Sequence, residues 1–169
     1  MQTGLVLPIP EAQAVVGRIR SRHDPAARAG MPPHVTLVYP FMDSKAIDAE
    51  ARARLLAVCA ATGSLELTFQ RLGRFDDVLW LAPEPAEPVI RLTHRLAEAF
   101  PDFPPYGGAF DEVTPHLTVA HGDAGVFGKL SARLEPALRD PVRSRVEHVA
   151  LFGLSPVGWI EIERFALAG

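Results

Sequence analysis

The feature that most constrains the fold of this chain is a short pattern that occurs twice, 82 residues apart. Residues 32–40 read PPHVTLVYP and residues 114–122 read TPHLTVAHG, so each copy places a histidine and a threonine two positions apart within an apolar run. Apolar runs of this length, rich in β-branched residues, are typical of strands, in which residues i and i+2 lie on the same face. The histidine and the threonine of each copy therefore share one face, and the apolar residues between them can enter the core.

The elements around each copy follow a similar order. Helical periodicity precedes each motif, and a second helix and a pair of strands follow it. Gly73 and Trp80 lie 39 and 46 residues after the first histidine, while Gly153 and Trp159 lie 37 and 43 residues after the second. These intervals are too irregular for a solenoid of identical repeats, so they favour two halves of common design.

A chain of 169 residues fits one domain. We therefore predict an α+β fold with a single domain over residues 1–169, built from two pseudo-symmetric lobes at roughly residues 1–85 and 86–169. If a pseudo-two-fold axis relates the lobes, the two motif strands can lie beside it. Their polar side chains would then converge in one cleft.

The four converging groups are His34, Thr36, His116 and Thr118. In-line displacement at phosphorus has an attacking oxygen on one side and a leaving oxygen on the other, and an imidazole can serve as base or acid near neutral pH. The threonine hydroxyls can donate hydrogen bonds to the non-bridging oxygens. The pattern thus predicts cleavage of a phosphate ester, with the histidines as acid and base and the threonines as phosphate ligands.

Two other kinds of site compete with this interpretation. A metal site would need more ligands than two histidines, because catalytic zinc usually has three protein ligands. His121 follows the second motif, but strand alternation places it on the opposite face from His116. We therefore expect no metal and no cofactor. A non-catalytic module that binds a nucleotide or an RNA end is the other alternative, although binding alone would not need two titratable groups around one phosphate.

Charge and composition limit the partners and the compartment. The net charge of −3 gives no general basic field, so an extended nucleic-acid surface is not expected. Arg18, Arg20 and Arg22 are interpreted as an exposed helix face. The chain shows no membrane span and no export signal, and the single Cys59 cannot form an internal disulfide. We expect a monomer in the cytoplasm.

The motifs and their contexts resemble the 2H phosphoesterase superfamily, in particular its bacterial 2'-5' RNA ligase-like branch. HVTL and HLTV match the paired His-apolar-Thr/Ser-apolar motifs of that family. The stretches LGRFDDVLWLAPEP and PPYGGAFDEVTPHLTVAHG are also similar to this branch, so the resemblance spans most of residues 32–122.

This resemblance implies antiparallel sheets around a central groove, with helices outside. It implies that His34 and His116 are the acid/base pair and that Thr36 and Thr118 bind the phosphate, without a metal. The implied activity is hydrolysis of 2',3'-cyclic phosphates or of 2'-5' linkages, with reversible 2'-5' RNA ligation as an alternative. Because the charge is acidic, a small nucleotide or a short RNA 3'-end is expected as substrate.

The segment AFPDFPPYGGAFDEVTP before the second motif is the most unusual loop. Phe103 and Tyr106 in this loop are candidates for stacking on a base, as aromatic side chains do when they bind single nucleotides. The alternative is that the two rings attach the loop to the core. Val38 shares the phase of His34 and is expected to line the cleft.

Overall fold

Eight antiparallel strands form one sheet in the order β6-β3-β4-β5-β2-β1-β7-β8. The computed structural model describes residues 1–169. The strands are Thr3–Pro8 (β1), His34–Phe41 (β2), Leu65–Arg74 (β3), Val78–Glu84 (β4), Leu117–His121 (β5), Val142–Val146 (β6), His148–Ser155 (β7) and Gly158–Ala166 (β8). The predicted α+β class and its antiparallel pairing are confirmed.

Five helices accompany the sheet, namely Gln13–His23 (α1), Pro25–Arg28 (α2), Ala49–Ala60 (α3), Glu87–Ala99 (α4) and Ala124–Leu134 (α5). Aspartates cap three of them, since the side chains of Asp24, Asp48 and Asp123 accept hydrogen bonds from the first turns of α2, α3 and α5. None of these helices has the length and apolar character needed to span a membrane.

The main core lies between helices α1, α3, α4 and α5 and one face of the sheet. Val35 and Leu37 on β2, with Leu117 and Val119 on β5, are fully buried there. Helix α1 packs against β5, and α4 packs against β2, so each helix covers the motif strand from the other part of the chain. Burial of these residues fixes which face of β2 and β5 is left for His34 and the other motif side chains.

The two halves of the sheet do not coincide with the two halves of the chain. One half contains β2, β1, β7 and β8, which are the first two and the last two strands, and the other contains β6, β3, β4 and β5. The predicted lobes at residues 1–85 and 86–169 are therefore wrong as a description of the sheet. The two four-stranded halves are also joined into one continuous sheet, because β2 pairs with β5.

The reason is that β1 and β4 occupy equivalent places, each beside a motif strand. Strand β3 then adds to β4, and β7, with its hairpin partner β8, adds to β1, so strands from both ends of the chain lie in the same half of the sheet. Trp80 lies on the inner strand β4, whereas Trp159 lies on the edge strand β8. The two tryptophans are not equivalent, although their spacing from the histidines is similar.

Arg20 corrects the interpretation of the helix arginines. Arg18 and Arg22 are exposed, but Arg20 is only 1% exposed and is among the largest fully buried side chains. Successive α-helical residues are about 100° apart, so Arg20 points away from both neighbours in the series and shares the buried stripe of Val16. Its guanidinium donates to Asp24 Oδ2 from Nη2 at 2.8 Å and from Nε at 3.1 Å.

Candidate active site

The two motifs meet at the centre of the sheet. Strands β2 and β5 pair antiparallel with Val35 opposite Leu117. When this register is continued by one residue in each direction, His34 comes opposite Thr118 and Thr36 comes opposite His116. The two histidines and two threonines therefore form one cluster around the pseudo-two-fold axis. All four residues are half-buried.

The same irregularity follows both motifs. The β1–β2 register passes from Val6 opposite Thr36 to Leu5 opposite Val38, and the β4–β5 register passes from Trp80 opposite Thr118 to Leu79 opposite Ala120. One extra residue is thus inserted three positions after each histidine, as in a β-bulge.

This bulge explains where the prediction for Val38 fails. The extra residue in β2 reverses the alternation, so Val38 turns into the core and is 1% exposed instead of lining the cleft. Tyr39 turns to the other side and contacts Trp159 edge-on, with 5.8 Å between the ring centroids. Beyond the bulge, the face of β2 that carries His34 and Thr36 therefore continues with Tyr39.

Each histidine is oriented by the carbonyl two residues before it. His34 Nδ1 donates to the carbonyl oxygen of Pro32 at 2.7 Å, and His116 Nδ1 donates to that of Thr114 at 2.7 Å. A carbonyl can only accept, so Nδ1 carries the hydrogen in both rings. Nε2 is left free as the basic nitrogen of the neutral ring. Because both rings are held in the same way, either Nε2 can accept or return a proton.

Burial lowers the pKa of both imidazoles, so each ring is more easily kept neutral than a histidine in water. Desolvation lowers the pKa of His34 to about 4, and the positive fields of Arg20 and His116 act in the same direction, against the Pro32 hydrogen bond and Asp24. Desolvation also lowers the pKa of His116, and the hydrogen bond to Thr114 opposes it. The direct influence of His116 on His34 is consistent with two rings facing one groove.

Aromatic rings surround His116. Phe75 meets its imidazole edge-on, with the centroids 5.1 Å apart, and Tyr106 stacks on it at 5.8 Å with 22° between the planes. Trp80 lies 6.0 Å away and is itself 5.1 Å from Phe75. Gly73 makes room for Trp80, because a Cβ at that position would lie 2.4 Å from the indole. No aromatic ring is paired with His34 in this way, so the groove is asymmetric.

The two aromatic candidates in the loop before β5, Phe103 and Tyr106, have different surroundings. Tyr106 has a left-handed backbone, with φ of 53°, and its ring lines a cavity beside His116. Phe103 packs against Phe41 in the core, with the centroids 5.3 Å apart, and does not line this cavity. The same loop thus provides one ring beside the histidine and one ring that attaches it to the core.

The cavity has a volume of about 640 Å³ and opens between the β3–β4 turn and the loop before β5. Its lining includes Phe75 and Phe110 besides Tyr106, and the carboxylates of Asp76, Asp77 and Glu112. Sequence reasoning missed Phe75, Trp80 and these carboxylates. The available signal was the segment RFDDVLW, in which Phe75 and Trp80 flank an acidic pair at the turn between two strands.

His121, considered above as a further ligand, does not form a metal-binding group with the two motif histidines. His121 is exposed at the end of β5, with its Nε2 4.0 Å from Asp24 Oδ1. No group of three or more histidine, cysteine, aspartate or glutamate side chains is arranged to hold a metal ion.

Comparison with known proteins agrees with this fold. The family model of the 2'-5' RNA ligase superfamily matches residues 8–155. The structure resembles TT0787 of Thermus thermophilus, with a TM-score of 0.68, 21% identity, and coverage of 100% of this chain and 99% of that one. It also resembles E. coli LigT complexed with NADP+ and with 3'-AMP, each with a TM-score of 0.59, 19% identity, and coverage of 99% and 98%. No curated protein matches in a sequence search.

At 19–21% identity, the similar structures show only that the fold is shared. The match to the family model shows the relationship in sequence. The match to residues 8–155 includes both motif strands and the hairpin beside His116. This chain belongs to the 2'-5' RNA ligase superfamily.

Proposed function

We propose that this chain is a metal-independent phosphoesterase that opens 2',3'-cyclic phosphates or cleaves 2'-5' linkages in nucleotides or short RNA ends. The observation that carries this proposal is the pairing of Val35 with Leu117, which brings His34, Thr36, His116 and Thr118 into one cluster. E. coli LigT complexed with 3'-AMP is a relative in fold that holds a nucleotide, which supports a ligand of this class.

The proposed reaction needs one proton acceptor and one proton donor. One imidazole Nε2 takes a proton from water as the water oxygen bonds to phosphorus, and the other gives a proton to the ribose oxygen as its bond to phosphorus breaks. Thr36 and Thr118 donate to the non-bridging oxygens, which holds the phosphate and stabilises its charge. The ribose hydroxyl of a second RNA end in place of water would give ligation by the same proton transfers.

The test is turnover of a panel of 2',3'-cyclic nucleotides and of short RNAs with cyclic-phosphate or 2'-5' ends, in the presence of EDTA. We expect ring-opened monophosphates or cleaved 2'-5' linkages without added metal. Activity that EDTA abolishes and zinc restores would show a metal-dependent enzyme. Equilibrium binding to the panel without any turnover would support a binding module instead.

The pH dependence of kcat/KM should reflect the lowered pKa values of both histidines. The base must be neutral and the acid protonated, and the fraction of the enzyme in that state is greatest midway between the two pKa values, whichever imidazole is the base. The pKa of His34 is about 4, and that of His116 lies below its ordinary value of 6.5. We therefore expect a bell-shaped profile with its maximum on the acidic side of pH 6.5, whichever histidine is the acid.

The decrease in kcat/KM at low pH must be distinguished from acid unfolding of the protein. Because the pKa of His34 is lower in the folded protein than in the unfolded chain, the unfolded chain binds more protons between about pH 4 and 6.5, and stability falls as the pH drops through that window. Circular dichroism at each pH separates unfolding from protonation of the base. A maximum above pH 7 in the folded protein would contradict the assignment of these two histidines.

A further inference from the structure

The cavity lies on one side of the groove only. His116 lines it and His34 does not. Its volume of about 640 Å³ is in the range of small-molecule sites. A ligand that fills the cavity therefore continues from the phosphate towards His116 and away from His34.

The walls suit a flat ring. Phe75, Tyr106 and the 70% exposed Phe110 present aromatic surfaces to the cavity, and nucleobases stack on such surfaces. The hydroxyl of Tyr106 is buried and has no hydrogen-bond partner within the protein. Desolvation raises the pKa of Tyr106 to about 12, in keeping with a hydroxyl withdrawn from solvent, so Tyr106 offers a bound base its ring rather than its hydroxyl.

The charged residues that line the cavity indicate which base it can bind. Asp76, Asp77 and Glu112 line the cavity, and none of their carboxylates accepts a hydrogen bond or forms an ion pair within the protein. Arg74 is the only cationic residue in the lining, and its Nη2 donates to Ser131 Oγ on α5 at 3.2 Å. Ionised carboxylates only accept hydrogen bonds, so they favour a ligand edge that donates and disfavour a further phosphate.

We propose that this cavity binds the base of the nucleoside whose phosphate is attacked, and that its carboxylates select an amino-bearing base, guanine above all, over uracil. Guanine offers an amino group and an adjacent ring N–H to the carboxylates. Uracil offers one ring N–H and no amino group. This inference rests on the proposed phosphoesterase function, because it assigns the substrate of that same groove.

A consequence concerns the roles of the histidines. With the base in the cavity, the ribose lies on the side of His116, and so does the oxygen that leaves. His116 Nε2 then protonates the ribose oxygen as its bond to phosphorus breaks, and His34 Nε2 takes the proton of the attacking water as the new oxygen–phosphorus bond forms.

The test compares substrates that differ by one amino group. We expect kcat/KM for guanosine 2',3'-cyclic phosphate to exceed that for the inosine analogue, which lacks only the 2-amino group, by roughly 10-fold or more, the scale of one hydrogen bond to a charged group. The triple variant Asp76→Asn, Asp77→Asn, Glu112→Gln should bring this ratio close to one. The matched control is Asp111→Asn, since Asp111 is exposed beside Glu112 but does not line the cavity, and it should leave the ratio unchanged.

The outcomes separate this inference from the proposed function. Equal kcat/KM for guanosine and inosine substrates in the wild type would overturn the base assignment while the phosphoesterase function stands. If no substrate is turned over, the phosphoesterase function fails, and equilibrium binding of guanosine and inosine 3'-monophosphates still decides the base selectivity. Tighter binding of the guanosine compound that the triple variant abolishes would support the cavity assignment, and equal binding would overturn it.

Discussion

Replacing His34 or His116 by alanine is expected to lower kcat/KM for cyclic-phosphate hydrolysis by about 100-fold or more, the usual scale for loss of a general acid or base. Each imidazole is held by its Nδ1 hydrogen bond with Nε2 free, and the other two members of the cluster, Thr36 and Thr118, do not titrate near neutral pH. Both rings are half-buried at the groove rather than part of the core, so the variants should fold. Steady-state kinetics with circular dichroism checks both statements.

A matched control is His94→Ala, because His94 is exposed on α4 and does not belong to the groove. It should keep the activity of the wild type. Turnover that survives in folded His34→Ala and His116→Ala variants would show that another group carries the proton transfers.

A substrate with sulfur in place of the leaving ribose oxygen distinguishes the two roles. A thiolate leaves without protonation far more readily than an alkoxide, so the acid is no longer needed. With this substrate, we expect the defect of His116→Ala to shrink to within about 10-fold of the wild type, while that of His34→Ala persists. The reverse pattern would assign His34 as the acid and would contradict the orientation inferred from the cavity.

Replacing Asp24 by alanine is expected to lower the free energy of unfolding by about 3–5 kcal/mol, the scale for breaking a buried ion pair. The side chains of Arg20 and Asp24 are each only 2% exposed, and removal of the carboxylate leaves the guanidinium buried without its counter-charge. Asp24 Oδ1 also accepts from the backbone nitrogen of Ala26 and caps α2. Denaturation with urea, monitored by fluorescence, measures the change.

Two further variants serve as controls for this prediction. Asp140→Ala breaks an ion pair with Arg143 whose side chains are 88% and 66% exposed, and it should cost less than about 1 kcal/mol. The double variant Arg20→Met, Asp24→Leu replaces both buried charges by apolar groups, and we expect it to recover much of the loss. A cost for Asp24→Ala no larger than that of Asp140→Ala would show that the pair contributes little.

The Arg20–Asp24 pair also lies close to the cluster of two histidines and two threonines. Arg20 Nη1 donates to the carbonyl oxygen of Met31 at 3.2 Å, and the next carbonyl, that of Pro32, accepts from His34 Nδ1. The buried guanidinium thus holds the segment that sets the orientation of the His34 ring. This link connects a stabilising contact of the fold to the position of a proposed catalytic residue.

The local part of the site could be predicted from the sequence. Strand alternation placed the histidine and threonine of each motif on one face, and the pairing of Val35 with Leu117 confirms that the motifs meet. Helix periodicity similarly predicted α4, whose Val89, Leu92 and Leu96 are buried. These features depend on residues within a few positions of one another, where the sequence determines the geometry directly.

The features that sequence reasoning missed depend on contacts between distant segments. The exchange of β3 and β7 between the halves follows from which strand edge is free after β1 and β4 have paired, and no local pattern encodes that choice. The aromatic wall around His116 joins the β3–β4 hairpin to a loop about 30 residues further along the chain. The single inserted residue that turns Val38 into the core leaves no composition signal either.

A histidine NMR titration of the protein, free and with a nucleoside 3'-monophosphate, tests most directly whether His34 and His116 flank one phosphate. We predict that both groove histidines titrate below 6.5 in the free protein, with His34 near 4, and that the pKa values of both rise when the phosphate binds, because one dianion lies between the two rings. The exposed His94 serves as the internal reference and should not respond. A rise at only one groove histidine, or at neither, would contradict the claim that His34 and His116 flank a single phosphate.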